Sequence, residues 1–128
     1  NYDFAYDYYK DILPSNDRRI LYNNISILPK LPENLKYLDI SNQSDIEFDV
    51  KDLINLTTFV ADNCKLETIP EFSDNMNYLY LNNNYISGNI KLPKNILCCD
   101  INNNYIIQRG INKENELIQN CKITVNLI

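Results

Sequence analysis

The cysteines of this sequence carry the side chains best suited to nucleophilic or metal chemistry, and their spacing argues against both. The chain has four cysteines and no histidine in 128 residues. Cys98 and Cys99 are adjacent and so lack the C-x-x-C spacing of a metal site, and without histidine a thiol lacks its usual general base. The sequence therefore predicts no metal, no cofactor and no enzymatic activity, with the thiols buried as small hydrophobic side chains.

The charge and glycine content exclude further classes of function. Asp and Glu number 17 against 12 Lys and Arg, and the net charge is −5, the wrong sign for binding phosphates. Gly88 and Gly110 are the only glycines and are isolated, so no phosphate-binding loop is expected. No apolar run approaches the ~18 residues of a membrane span. We therefore expect neither a nucleic acid nor a membrane as partner, and a cytoplasmic location.

An internal repeat of about 20 residues is the strongest pattern and predicts the elements that position these side chains. Met76, Leu79, Leu81, Asn84 and Ile86 follow the pattern L-x-x-L-x-L-x-x-N-x-L. Repeats begin near residues 15, 35, 56, 76, 96 and 118. A strand followed by a turn cannot bury its apolar side chains alone, so the repeats are expected to stack into a solenoid.

Two sets of repeat positions have structural roles in this interpretation. One core column holds Ile20, Ile40, Ala61, Leu81, Ile101 and Ile123. Asn84, Asn104 and Asn126 form an asparagine ladder that is expected to supply hydrogen bonds to buried backbone groups of the turns.

Residues 1–14 precede the repeats and have the spacing of a short amphipathic helix. Phe4, Tyr8 and Ile12 are four residues apart, and Pro14 favours a helix end. The favoured interpretation is an N-terminal helical cap over the first repeat, with residues 15–128 as the repeat domain. The alternative is an exposed interaction segment of tyrosines with Asp3, Asp7 and Asp11.

Residues 15–128 resemble the leucine-rich repeat family. Segments 28–32 (LPKLP) and 92–96 (LPKNI) are similar to the short bacterial subclass found in secreted effectors of the YopM and IpaH type. The resemblance implies an α/β fold: a right-handed solenoid with a short parallel sheet on its concave face and an extended or 3-10 convex side. It also implies recognition of a protein or peptide rather than catalysis, and, for a pathogen effector, secretion into a host cell.

The strand positions between the core residues are predicted to face the concave side and to be exposed. The first column holds Asp17, Tyr37, Thr58, Tyr78, Cys98 and Asn120, and the second holds Arg19, Asp39, Val60, Tyr80, Asp100 and Lys122. The predicted partner-binding residues are Tyr37, Asp39, Asp62, Tyr78, Tyr80 and Asp100, an aromatic and acidic set suited to a basic or mixed polar partner. The alternative is that they are solvated strand residues without a binding role.

Several further interpretations stay open from the sequence. The chain could be the substrate-recognition part of a larger effector such as a ubiquitin ligase, or a self-assembling structural protein. The apolar last repeat, which ends at Ile128, predicts a homodimer through the C-terminal edge. Cys98 is expected on the surface, and a disulfide between Cys99 and Cys121 is geometrically conceivable.

Overall fold

The computed structural model describes residues 18–20, 27–28, 30–44, 46–106 and 122–124. The predicted helical cap at residues 1–14, Asn126 and Cys121 lie outside the described residues.

Six strands of three residues form one parallel sheet in chain order. They are β1 (Arg18–Ile20), β2 (Tyr37–Asp39), β3 (Thr58–Val60), β4 (Tyr78–Tyr80), β5 (Cys98–Asp100) and β6 (Lys122–Thr124). No helix occurs among the described residues, and the connections consist of turns, bends and extended backbone. The predicted short parallel sheet is confirmed.

The predicted register holds for the four middle strands. Tyr37 pairs with Thr58, Thr58 with Tyr78, and Tyr78 with Cys98, so these four residues occupy one position of successive repeats. The 20- and 21-residue spacing therefore sets both the strands and their alignment.

The predicted register of the first strand is wrong. Arg18, not Asp17, pairs with Tyr37, and Ile20 consequently lies beside Asp39 instead of joining the core column of Ile40. A shift by one residue exchanges the two faces of a strand. The degenerate segment 18–20 (RRI) has too few apolar residues for its pattern to determine the register of the strand.

The predicted register of the last strand is also wrong. Lys122, not Asn120, pairs with Cys98, and Ile123 lies beside Cys99 rather than Ile101. A shift by two residues preserves the alternating pattern of a strand, so the sequence pattern cannot detect it.

The apolar core lies against one face of the sheet, here called the first face. Its strand residues are Leu38, Phe59, Leu79 and Cys99, each fully buried. The connections complete the same cluster, for example through Val50. Burial of each large apolar side chain contributes roughly 1.5–3 kcal/mol.

Asparagine is frequent because the turn after each strand requires a left-handed backbone. Asn42, Asn63, Asn83 and Asn103 recur at this turn, with φ of 67°, 58°, 61° and 58°. Asparagine tolerates this region better than other residues with a β-carbon. The sequence pattern alone did not assign this role.

A second series of asparagines connects the repeats just before the strands. Asn55, Asn75 and Asn95 each donate a side-chain N–H to a backbone carbonyl of the preceding repeat, at 3.1, 2.6 and 2.8 Å. These hydrogen bonds add to the backbone pairing of the sheet and fix the repeats to one another.

Candidate functional site

The second face of the sheet, opposite the core, is the candidate site. On β2 to β5 it carries Tyr37, Asp39, Thr58, Val60, Tyr78, Tyr80, Cys98 and Asp100. Alternation along each three-residue strand separates these side chains from the core residues. The buried tyrosines of the second face do not belong to the core cluster. The two faces are therefore two distinct sets of packed side chains.

The second face is buried, which corrects the prediction that it is exposed. Tyr37 and Tyr80 are 0% exposed, and Asp39 and Asp100 are 4% and 8% exposed. Tyr78 is half-buried. The sequence pattern distinguished the core face from its opposite but carried no information on whether the opposite face meets water.

The predicted exposure of Cys98 is wrong for the same reason. Cys98 is 8% exposed, and Cys64, Cys98 and Cys99 are not disulfide-bonded. The conceivable bond from Cys99 to Cys121 is therefore not formed. Its geometric basis was the predicted register, which the pairing of Cys99 with Ile123 replaces.

Two carboxylates at the ends of the strands accept hydrogen bonds from residues two positions further along the chain. Asp39 Oδ1 accepts the backbone N–H of Ser41 at 2.9 Å. Asp100 Oδ1 accepts a side-chain N–H of Asn102 at 2.8 Å. These local bonds fix the two carboxylates as the strands end, so their negative charges have defined positions on the second face.

Asp62 belongs to a polar ladder that the sequence interpretation missed. Ser41 Oγ accepts the backbone N–H of Asp62 at 3.1 Å, and Asp62 Oδ1 accepts that of Asn82 at 2.8 Å. Asn82 Oδ1 in turn accepts the backbone N–H of Asn102 at 2.8 Å. The recurrence of short polar residues two positions after each strand was the available signal.

The predicted asparagine ladder bridges adjacent repeats on the core side. Asn104 Oδ1 accepts the backbone N–H of Ile86 at 3.0 Å, and its Nδ2 donates to the carbonyls of Leu81 and Ile101 at 2.9 and 3.0 Å. Asn84 makes the equivalent contacts one repeat earlier, with the backbone N–H of Leu66 and the carbonyls of Ala61 and Leu81. Both asparagines are buried, so these amides are structural groups.

Cys64 takes the ladder position in the preceding repeat. Its thiol donates to the carbonyl of Ile40 at 3.2 Å, where Asn84 uses an amide N–H. Burial raises the pKa of the Cys64 thiol above its ordinary value of 9.0, with the nearby carboxylates of Asp62 and Asp39 raising it further. Hydrogen bonds from the backbone oppose this rise. A protonated buried thiol is a poor nucleophile.

An exposed aromatic pair lies outside the strands. Tyr85 and Tyr105 follow the ladder asparagines of adjacent repeats and stack with ring centroids 5.8 Å apart and an interplanar angle of 17°. They are 47% and 54% exposed. The sequence analysis did not single them out, although their shared position after Asn84 and Asn104 was visible.

The described residues contain no group of three or more cysteine or acidic side chains placed to hold a metal ion. Nor does the described part of the chain include a helix with the length and apolar character that crossing a membrane requires. Neither a scan against models of protein families nor a search of curated proteins returned a match for this chain.

Proposed function

We propose that this chain is a leucine-rich repeat solenoid that acts as a non-catalytic module for binding a protein or peptide. The stacked strands, the recurring turn after each strand and the asparagine ladder support this fold. In the proposed fold the second face is the concave face. The proposal includes the α/β class and the right-handed solenoid that the family resemblance implies.

The observation that carries the proposed function is the composition of the second face. Tyr37, Tyr78 and Tyr80 share this face with Asp39 and Asp100, and none of the five belongs to the core cluster on the first face. Aromatic side chains with fixed charges are typical anchors of protein interfaces. The acidic groups favour a partner with basic side chains.

The small area of this face limits the kind of partner. Six strands at about 4.8 Å spacing span ~24 Å, and a three-residue strand spans ~10 Å, so the face measures roughly 240 Å². A standard interface buries ~800 Å² on each partner. A peptide fits these dimensions, whereas a folded partner would also contact the loops.

Affinity capture followed by quantitative binding tests this proposal. Proteins from the native cell or a host cell are captured on the full chain, identified by mass spectrometry and purified for titration. Tyr78→Asp alters a half-buried side chain of the second face, and Tyr85→Asp is the matched control on the exposed pair. We expect Tyr78→Asp to weaken binding at least about tenfold and Tyr85→Asp to leave it unchanged. Equal binding by both variants would exclude the second face.

A substitution at Asp100 tests whether the proposed partner is basic. Asp100→Asn keeps the size of the side chain and removes its charge. A basic partner should bind this variant more weakly, with a smaller dependence on salt concentration than it shows for the wild type. Unchanged affinity and salt dependence would show that Asp100 does not contribute.

Two further roles are compatible with the same module. The substrate-recognition part of a larger effector, such as a ubiquitin ligase, would use the same face. Self-assembly would use the sheet edges, because among the described strands β1 and β6 each pair on one side only. Both roles retain a cytoplasmic site of action or delivery into a host cell.

A further inference from the structure

Tyr85 and Tyr105 form a pair of exposed phenol rings that belongs neither to the core cluster nor to the strands. Their ring centroids are 5.8 Å apart, and the ring planes are 17° from parallel. Each ring therefore has one side toward the other ring and a large part of its surface in solvent. Two phenols placed in this way are accessible to a reagent in solution and can also react with each other.

The backbone holds the two tyrosines at the spacing of adjacent repeats. The backbone N–H of Tyr85 donates to the carbonyl of Leu66 at 2.7 Å, and that of Tyr105 donates to the carbonyl of Ile86 at 2.9 Å. Each tyrosine also lies between two buried residues of its own repeat, which are Asn84 and Ile86 in one case and Asn104 and Ile106 in the other. Only rotation about the side-chain bonds is then needed to bring a ring carbon of one tyrosine against the other, and exposed side chains rotate rapidly.

The other aromatic positions of the described residues lack this combination of hydroxyl, exposure and neighbour. Among the described tyrosines, Tyr37 and Tyr80 are fully buried and Tyr78 is half-buried. The ring contacts of Phe59 lie in the core and involve no hydroxyl group. Lys65 occupies the position equivalent to Tyr85 one repeat earlier, so the exposed tyrosine series begins at Tyr85.

We propose that Tyr85 and Tyr105 are an oxidative modification site, at which hydrogen peroxide and a haem peroxidase join the two rings as dityrosine. The oxidised peroxidase takes one electron and one proton from each phenol, and one hydrogen peroxide is reduced to two water molecules. The two phenoxyl radicals combine through ring carbons ortho to their oxygens, which forms one C–C bond. The hydrogen on each joined carbon then moves to the oxygen and restores both phenols, so the net loss is two hydrogen atoms.

The crosslink fastens two adjacent repeats to each other. It joins side chains one repeat apart in sequence, and such a bond removes conformations from the unfolded chain and so stabilises the folded one. The reaction requires no binding partner and does not rest on the proposed function. It uses residues outside the strands, so the side chains of the second face take no part in it.

Peptide mapping of the full chain after oxidation tests the site. The chain is treated with hydrogen peroxide and a haem peroxidase, and the monomer band is alkylated and digested with trypsin. Tyr85 falls in peptide 66–91, and Tyr105 is the only tyrosine of peptide 95–109. We expect these two peptides to be joined, with a mass lower than their sum by two hydrogen atoms and with dityrosine fluorescence. The yield per chain should be equal at ~1 and ~10 μM protein, because the two rings belong to one chain.

Phenylalanine variants identify the two rings, because they keep the ring and remove only the hydroxyl group. Tyr85→Phe and Tyr105→Phe should each abolish the link between peptides 66–91 and 95–109. Tyr78→Phe is the matched control, since Tyr78 lies in the same peptide as Tyr85 and is half-buried, and it should leave the yield unchanged. A link that persists in Tyr85→Phe, links formed only between two chains, or no link at all would overturn the proposal.

Urea unfolding measures whether the crosslink fastens the repeats. The crosslinked monomer should unfold at a higher urea midpoint than the untreated chain, and oxidised Tyr85→Phe should show no such shift. Equal midpoints for the crosslinked and untreated chains would contradict the fastening of the repeats. Failure to capture a partner would remove the proposed function and leave both the peptide map and the urea midpoints unaffected.

Discussion

Asn84 Oδ1 accepts the backbone N–H of Cys64, one repeat earlier, at 2.9 Å, and both side chains occupy the same position of their repeats. The side chain of each of the two residues therefore forms hydrogen bonds with backbone groups of the repeat before it. An amide both donates and accepts strongly, whereas a thiol does so weakly. The ladder is accordingly stronger at Asn84 than at Cys64.

Replacement of Asn84 by alanine should destabilise the protein by on the order of 1–3 kcal/mol, because buried backbone groups lose their partners. Asn84 makes five hydrogen bonds, all to backbone atoms. Urea unfolding measures the change, with exposed Asn89→Ala as the control. Matching midpoints for wild type and Asn84→Ala would contradict the ladder's role.

Tyr80→Ala should cost about 3 kcal/mol, whereas Tyr78→Ala should cost less than half of that, because truncating a fully buried aromatic side chain leaves a cavity. Tyr80 is fully buried and Tyr78 half-buried. The sequence-based expectation of exposed anchors implied little change for either. Thermal unfolding of the two variants is the measurement, and equal losses would mean that the second face is not packed as described.

Thr58→Val should be neutral or stabilising by up to about 1 kcal/mol, since it replaces a buried hydroxyl by a methyl group of similar size. Thr58 is 0% exposed, and its Oγ1 makes no hydrogen bond within the described part of the chain. The free energy of unfolding, measured in urea for Thr58→Val and the wild type, tests this expectation. A loss of more than about 1 kcal/mol would indicate a polar partner for this hydroxyl.

The stability of the protein should fall as pH rises above about 9, in part because of Cys64. Desolvation raises the pKa of this thiol in the folded state above its ordinary value of 9.0. The unfolded chain therefore loses the proton first, so the stabilisation is complete below pH 9 and is lost as pH rises toward the folded pKa. Unfolding free energies from pH 7 to about 10.5 are compared with those of Cys64→Ala. The difference in unfolding free energy between the wild type and Cys64→Ala should shrink as pH rises. A difference that stays constant would show that this thiol does not cause the loss of stability.

A homodimer through the C-terminal edge remains a prediction. The described part of β6 pairs with β5 alone, which leaves one strand edge for a second copy. Light scattering at ~100 μM should show a dimer that Ile128→Lys abolishes without loss of folding. A monomer at that concentration would disprove it, and Val125→Lys controls for added charge near β6.

The middle of the fold was determined by the sequence alone. The spacing of Leu38, Phe59, Leu79 and Cys99 defines both the strands and the core face, because a 20-residue period leaves few alternative alignments. The buried position of Asn84 followed from the same period. At the two ends the apolar pattern was degenerate, and strand pairing in the tertiary structure decided the register of Arg18 and Lys122.

The tertiary structure decided whether the second face is buried or exposed. Tyr37 and Tyr80 alternate with core residues as the pattern predicts, but alternation specifies only which way a side chain points. Whether that side meets water depends on chain segments distant in sequence, and the pattern within one repeat carries no information about them. Local periodicity therefore determined the strands, and long-range packing determined which of their side chains are accessible.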